Sequence, residues 1–165
     1  MQEKKNQSPP YRVIVAGFDG SEASLKAVMR AAELASALGA DLHIIAVVPP
    51  PTVILGPMMT PEILDVAPLA DAARKALEKV AEEVRGKHGA RAFVEVVMGD
   101  PAEELLRYSN EVGANLIVVG SSGARGAALL GSVAHEVVKH AKVDVLVVGE
   151  ADKGATELSV GGDNE

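Results

Sequence analysis

The chain has 165 residues, 48% of them hydrophobic but only 2% aromatic, no cysteine and a formal net charge of −7. That length suits one domain, which buries roughly 70% of its unfolded surface and needs no disulfide or metal to fold. The acidic balance, with no Lys/Arg cluster, excludes a nucleic-acid-binding face, and the lack of cysteine excludes disulfides, thiolate zinc sites and thiol catalysis together.

Residues 1–10 are polar, end in Pro9-Pro10 and read as a loose tail without the apolar core of a signal peptide. Tyr11–Phe18 is a short apolar run rich in β-branched residues, the pattern of a buried strand. Ser21 offers an N-cap, and Leu25, Val28, Ala32, Ala35 and Leu38 follow at helical spacing until Gly39 closes the helix. Asp41–Val48 is a second strand, ended by Pro49-Pro50-Pro51. Residues 49–67 also hold Pro57 and Pro61 and read as an irregular surface loop with at most one short helical turn.

From Pro68 a long helix sets Leu69, Ala73, Ala76, Leu77, Val80 and Val84 on one face and a run of charge, Arg74 to Glu83, on the other. Ala92–Met98 is a third strand. Asp100-Pro101 then marks a helix as N-cap and N1 proline, with Glu103 and Glu104 where the helix dipole favours acid. That helix ends near Gly113, and Asn115–Gly120, Val133–His140 and Val143–Gly149 follow as strand, helix and strand. Residues 150–165 are rich in Gly, Asp and Glu and read as a second tail. No apolar run reaches the ~18 residues a membrane helix needs, so a cytoplasmic protein without a membrane partner is expected.

The alternation over residues 11–149 specifies an α/β fold, a single open, five-stranded parallel sheet with helices on both faces. Where such a sheet reverses its winding, a crevice opens at the carboxyl ends of two strands, and ligands bind there. Two glycine-rich turns point to it. One is Gly17-Phe18-Asp19-Gly20-Ser21, and the other runs from Gly120 through Gly123 to Gly131-Ser132-Val133. Glycines admit an anion close to backbone N–H groups, and the Gly131-Ser132 helix start adds a positive dipole end. Asp19 is placed to accept hydrogen bonds from ribose hydroxyls. The alternative for both turns is ordinary turn-and-cap chemistry, and neither contains a P-loop or a proper GxGxxG.

The second turn resembles the signature of the universal stress protein family, a Gly-x2-Gly pair followed by a loop and then Gly-Ser/Thr. Asp19–Ser24, Gly99–Glu104, Leu116–Ser121 and Val145–Val148 resemble other stretches of that family in the same order. The resemblance implies a Rossmann-like sheet of the adenine nucleotide alpha hydrolase-like kind, with strand order 3-2-1-4-5. It implies adenine against Val47, ribose at Asp19 and Gly120, and phosphates at Gly123, Gly131, Ser132 and Val133, with Gly17 and Val119 lining the pocket. It also implies a homodimer formed through the fifth strand.

One departure bears on the ligand. Seven residues separate Gly123 from Gly131, where the family pattern has nine. The shortened loop is expected to discriminate poorly between ATP and AMP, with Arg125 the one residue in it able to grip terminal phosphates. The ligand expected is therefore an adenine nucleotide (ATP, ADP, AMP or a cyclic nucleotide), with Mg2+ as its optional companion.

The four histidines lack metal spacing, since His135 and His140 are five apart on one helix, and neither His43 nor His88 has a motif-linked partner. Met58-Met59 reads as loop packing or as a lid over the adenine. Ser132 has no linked base and reads as a cap and phosphate donor. The function expected is a nucleotide-holding stress-response regulator. The alternative is a dimeric interaction protein of the same fold that binds no nucleotide. A slow ATPase ranks last, because no general base or arginine finger is evident.

Overall fold

The computed structural model describes residues 8–122 and 130–149. Residues 1–7 and 150–165 of the expected tails lie outside the described residues, as do Gly123 and Arg125 of the second glycine-rich turn. In chain order the elements are β1 (Val13–Gly17), α1 (Glu22–Leu38), β2 (Asp41–Val48), β3 (Val53–Leu55), β4 (Pro61–Ile63), α2 (Ala67–His88), β5 (Arg91–Met98), α3 (Pro101–Glu111), β6 (Leu116–Gly120), α4 (Ser132–His140) and β7 (Asp144–Val148).

Five parallel strands make one sheet in the order β5-β2-β1-β6-β7. Counted along these strands alone, that is the expected order 3-2-1-4-5. The caps explain where the helices begin and end. Ser21 accepts from the N–H of Ser24 to open α1, and Gly39 ends it with left-handed backbone (φ 66°). Asp100 accepts from the N–H groups of Ala102 and Glu103 to open α3 behind Pro101.

Alternate residues of each strand serve opposite faces, and two apolar cores result. On one face Ile14, Ala16, Leu42, Ile44 and Val118 meet α1 and α2, whose Ala27, Ala31, Leu77 and Val84 are fully buried. The small side chains of α1 let that helix lie close to the sheet. On the other face Val15, Ile45, Ile117 and Val119 meet Ala102 and Leu105 of α3 and Ala134 and Val137 of α4. Leu69, expected on the buried face of α2, is 52% exposed; the buried residues of that helix begin two turns later, at Leu77.

The segment expected to be an irregular loop is a hairpin. β3 and β4 pair antiparallel, Val53 with Ile63 and Leu55 with Pro61, apart from the main sheet. Its prolines concealed it, yet each sits where a missing N–H is tolerated, Pro57 in the turn and Pro61 at the first residue of β4. Gly56 N–H donates to Thr60 C=O (2.8 Å), and Met59 N–H donates to Gly56 C=O (2.9 Å). Met59 takes left-handed backbone (φ 57°), as the third loop residue of this hairpin type requires.

His43 of β2 lies on the α3 face. Its Nδ1 is hydrogen-bonded to the Tyr108 hydroxyl at 2.9 Å, and its ring stacks on Phe93 with centroids 5.0 Å apart. Burial lowers its pKa, and the Asp41 carboxylate only partly opposes this. The folded chain therefore takes up a proton at His43 less readily than the unfolded chain does. Stability from this contact is present above the ordinary histidine value of about 6.5 and declines as pH falls through it. His43→Gln is expected to flatten that decline, as read from urea midpoints one pH unit either side of about 6.5. An identical slope in parent and variant would show that the contact contributes nothing to it.

Candidate functional site

The carboxyl ends of β1, β2 and β6 open into a cavity of about 150 Å3. β1 and β6 are neighbours but their following helices lie on opposite faces, since α1 packs with α2 and α4 with α3. This is the reversal point the topology anticipates, and the cavity occupies it.

Each wall has a local cause. Phe18 N–H continues the β1–β2 ladder by donating to Ile45 C=O at 2.8 Å, which holds the Gly17–Asp19 turn over the end of β2. Asp19 then folds back, its Oδ1 accepting from Ser21 N–H at 2.8 Å, while its own N–H donates to Ser24 Oγ at 3.2 Å. Burial pushes the Asp19 carboxyl up, but hydrogen bonds from Ser21, Ser24 and its own backbone together outweigh that and hold it below its ordinary value. Asp19 is thus a carboxylate at neutral pH.

Gly120 ends β6 under the first turn of α1. A Cβ there would lie 2.9 Å from the carbonyl oxygen of Ala23, so only glycine fits. Beyond it, Ser121 N–H donates to Val148 C=O (2.9 Å), and Gly131 N–H donates to Ser121 C=O (2.7 Å). These bonds fix both ends of the connection between β6 and α4.

The start of α4 differs from the starts of α1 and α3. Its N-cap is Gly131, in extended backbone, and no side chain caps it. The first-turn N–H groups that Ser21 and Asp100 cap elsewhere have no side-chain cap here, and Gly131, Ser132 and Val133 line the cavity with the positive end of the helix dipole behind them. Asp19 is the only charged residue on the cavity wall among the described residues.

Eight of the nine residues expected at the site line this cavity: Gly17, Asp19, Val47, Val119, Gly120, Gly131, Ser132 and Val133. The ninth, Gly123, lies outside the described residues. Met58 and Met59 do not line it, nor does any histidine. Sequence reasoning missed the α3 wall, Pro101 and Leu105, along with Ile45 and Ser24. Ile45 was legible in principle, two residues before Val47 on the same face of β2. Pro101 and Leu105 stand one helical turn apart, but nothing local shows that α3 overhangs the ends of β1 and β2.

A doubly wound parallel sheet with a glycine-bordered crevice at its reversal point defines a Rossmann-like α/β domain. The sequence pattern of the universal stress protein family matches residues 10–149. The chain belongs to that family. It is 34% identical over 152 residues to a universal stress protein of Methanocaldococcus jannaschii, covering 90% of this chain and 88% of that one. It is 35% identical over 153 residues to one of Mycobacterium tuberculosis, covering 84% and 96%. A solved universal stress protein in complex with cAMP superposes with a TM-score of 0.66 at 30% identity, covering 84% of this chain and 97% of that one. No helix among the described residues is long and apolar enough to cross a membrane.

Proposed function

We propose that this chain is an adenine-nucleotide-binding stress-response regulator that signals through occupancy of the crevice and through pairing of two copies. The observation that carries this reading is the convergence of eight residues, drawn from β1, β2, β6 and the start of α4, on one cavity. The related protein in complex with cAMP supports the ligand class. Adenine would lie in the apolar part, against Val47, Ile45 and Leu105. Asp19 Oδ2 would accept the ribose hydroxyls, since Oδ1 is engaged by Ser21. Phosphate would meet the uncapped N–H groups of α4, with Gly123 adding a further N–H.

Any Mg2+ would ride on the ligand's phosphates, because Asp19 is the only carboxylate lining the cavity among the described residues. Pairing would use β7, whose apolar side chains Val145–Val148 are only part-covered at the edge of the sheet.

The test is a calorimetric titration of AMP, cAMP, ADP and ATP into the purified chain. All four are expected to bind, with ATP and AMP within about tenfold of each other, since exposed charge contacts are each worth only ~0–1 kcal/mol. The shortened connection between Gly123 and Gly131 and the lack of a cation on the described wall both motivate that ratio. A hundredfold preference for ATP would mean that Arg125 clasps the terminal phosphates. No heat with any of the four would favour an interaction protein of the same fold without a nucleotide.

A further inference from the structure

The hairpin is the part of the chain that the nucleotide reading leaves unused. Among the described residues its two strands pair only with each other. Val53, Ile54, Leu55, Met58, Met59 and Ile63 are between 43% and 87% exposed. Val53, Ile54 and Leu55 are consecutive, so both faces of β3 are apolar and open, and no register of the hairpin hides them. Six large apolar side chains left open within eleven residues are the kind of exposed apolar surface that marks an interaction site. An isolated two-stranded hairpin is also marginal in water and calls for further strands.

The hydrogen bonds show which edge is open. Leu64 N–H donates to Thr52 C=O and Gly56 N–H to Thr60 C=O, both at 2.8 Å. With these residues bonded inward, strand alternation turns the N–H and C=O groups of Val53 and Leu55 outward on β3. On β4 the corresponding positions are Ile63 and Pro61, and Pro61 has no N–H to offer.

We propose that a second copy of this chain docks on the hairpin, β3 against β3, antiparallel about a two-fold axis at Ile54. Val53 of each copy then faces Leu55 of the other, both with outward groups, and the two hairpins become one four-stranded sheet. Three observations select this occupant. First, a two-fold axis brings identical strands together antiparallel, as an isologous contact needs. Second, the sequence holds no charged residue between His43 and Glu62, so two copies of a chain of net charge −7 meet here without opposed like charges. Third, the hairpin has no Lys or Arg for an anionic lipid surface, and the chain has no Trp to seat at one. The contact is separate from pairing through β7 and does not depend on nucleotide.

The test uses the full chain. Ile54→Cys places one thiol per copy at the axis of a chain with no native cysteine. Opposed Cα atoms in a non-hydrogen-bonded antiparallel pair lie about 4.5 Å apart, within disulfide reach. Leu69→Cys, on the exposed first turn of α2, is the comparison. Under mild oxidation I54C is expected to cross-link at least tenfold faster than L69C. In the cysteine-free chain, V53K/L55K is expected to halve the mass seen by light scattering, because lysine at a strand edge blocks pairing. Halving is expected whether the parent assembly holds two chains or four, and a β7 pair, if present, survives in the variant. The variant should keep the parent's far-ultraviolet circular dichroism, since these side chains belong to neither core. An unchanged mass in V53K/L55K, or I54C cross-linking no faster than L69C, overturns the proposal. So does binding of the parent chain to phosphatidylcholine vesicles that V53K/L55K abolishes while the mass is unaltered.

Discussion

Gly120→Val is expected to destabilise the fold by about 1–3 kcal/mol, the usual cost of overpacking a closed interior. The nearest atoms to its missing Cβ are the carbonyl oxygen and carbon of Ala23, at 2.9 and 3.0 Å, which are backbone and cannot rotate away. Relief requires α1 to lift from β6. The helix resists through Ala27, Val28 and Ala31, all fully buried against the sheet. Gly120→Ala should lose less, with the same sign. Gly17→Ala is the control, since its new Cβ would meet only Leu105 side-chain carbons, at 3.5 Å or more, an ordinary contact. Gly17→Ala should therefore keep the parent's stability while narrowing the crevice. Urea unfolding reads all three. A midpoint for Gly120→Val equal to that of Gly17→Ala would mean that α1 is not seated as described.

Asp19→Ala is expected to weaken AMP binding by roughly ten- to a hundredfold, the loss that follows from a hydrogen bond to a charged group worth ~1.5–3 kcal/mol. Two effects are mixed in that variant, because Asp19 also accepts from Ser21 N–H and so shapes its own turn. Asp19→Asn separates them. Its amide oxygen keeps the Ser21 bond, but it presents an N–H2 donor where the ribose hydroxyls need an acceptor. Asp19→Asn should retain the parent's stability and still lose most of the affinity. Because hydrogen bonds hold the Asp19 carboxyl below its ordinary value, the affinity for adenosine, which has no phosphate to titrate, should stay flat from neutral pH down to about pH 5. Calorimetry finding both variants as tight as the parent would remove Asp19 from the site.

The fold was legible wherever a local signal fixes a local outcome. Ser21, Gly39 and Asp100-Pro101 each cap a helix as their chemistry dictates, and the apolar runs between them became the five strands of the sheet. The hairpin was not legible, because proline normally argues against a strand. Whether Pro57 lies within a strand or in a turn is decided only when β3 finds β4. The site divided in the same way. Its glycines and Asp19 carry signatures in their own turns, whereas Pro101 and Leu105 reach the cavity only because the crossover from β5 carries α3 back over β1 and β2. The contact between His43 and Tyr108 joins residues from different elements and left no trace in either stretch of sequence.

The central place of β1 also sets a timetable for the nascent chain. β1 is made before either of its partners, and it pairs on one side with β2 soon after. Its other side waits for β6, Val15 for Ile117. About a hundred residues separate those partners, and at roughly 5–20 residues per second a ribosome takes on the order of 5–20 s to supply the second one. During that interval the apolar strand Val13–Gly17 has one edge unpaired, and the crevice lacks the wall that β6 and α4 will form. A ligand held there therefore cannot assist the early steps of folding. It can only hold the finished sheet closed, by mass action on the native state.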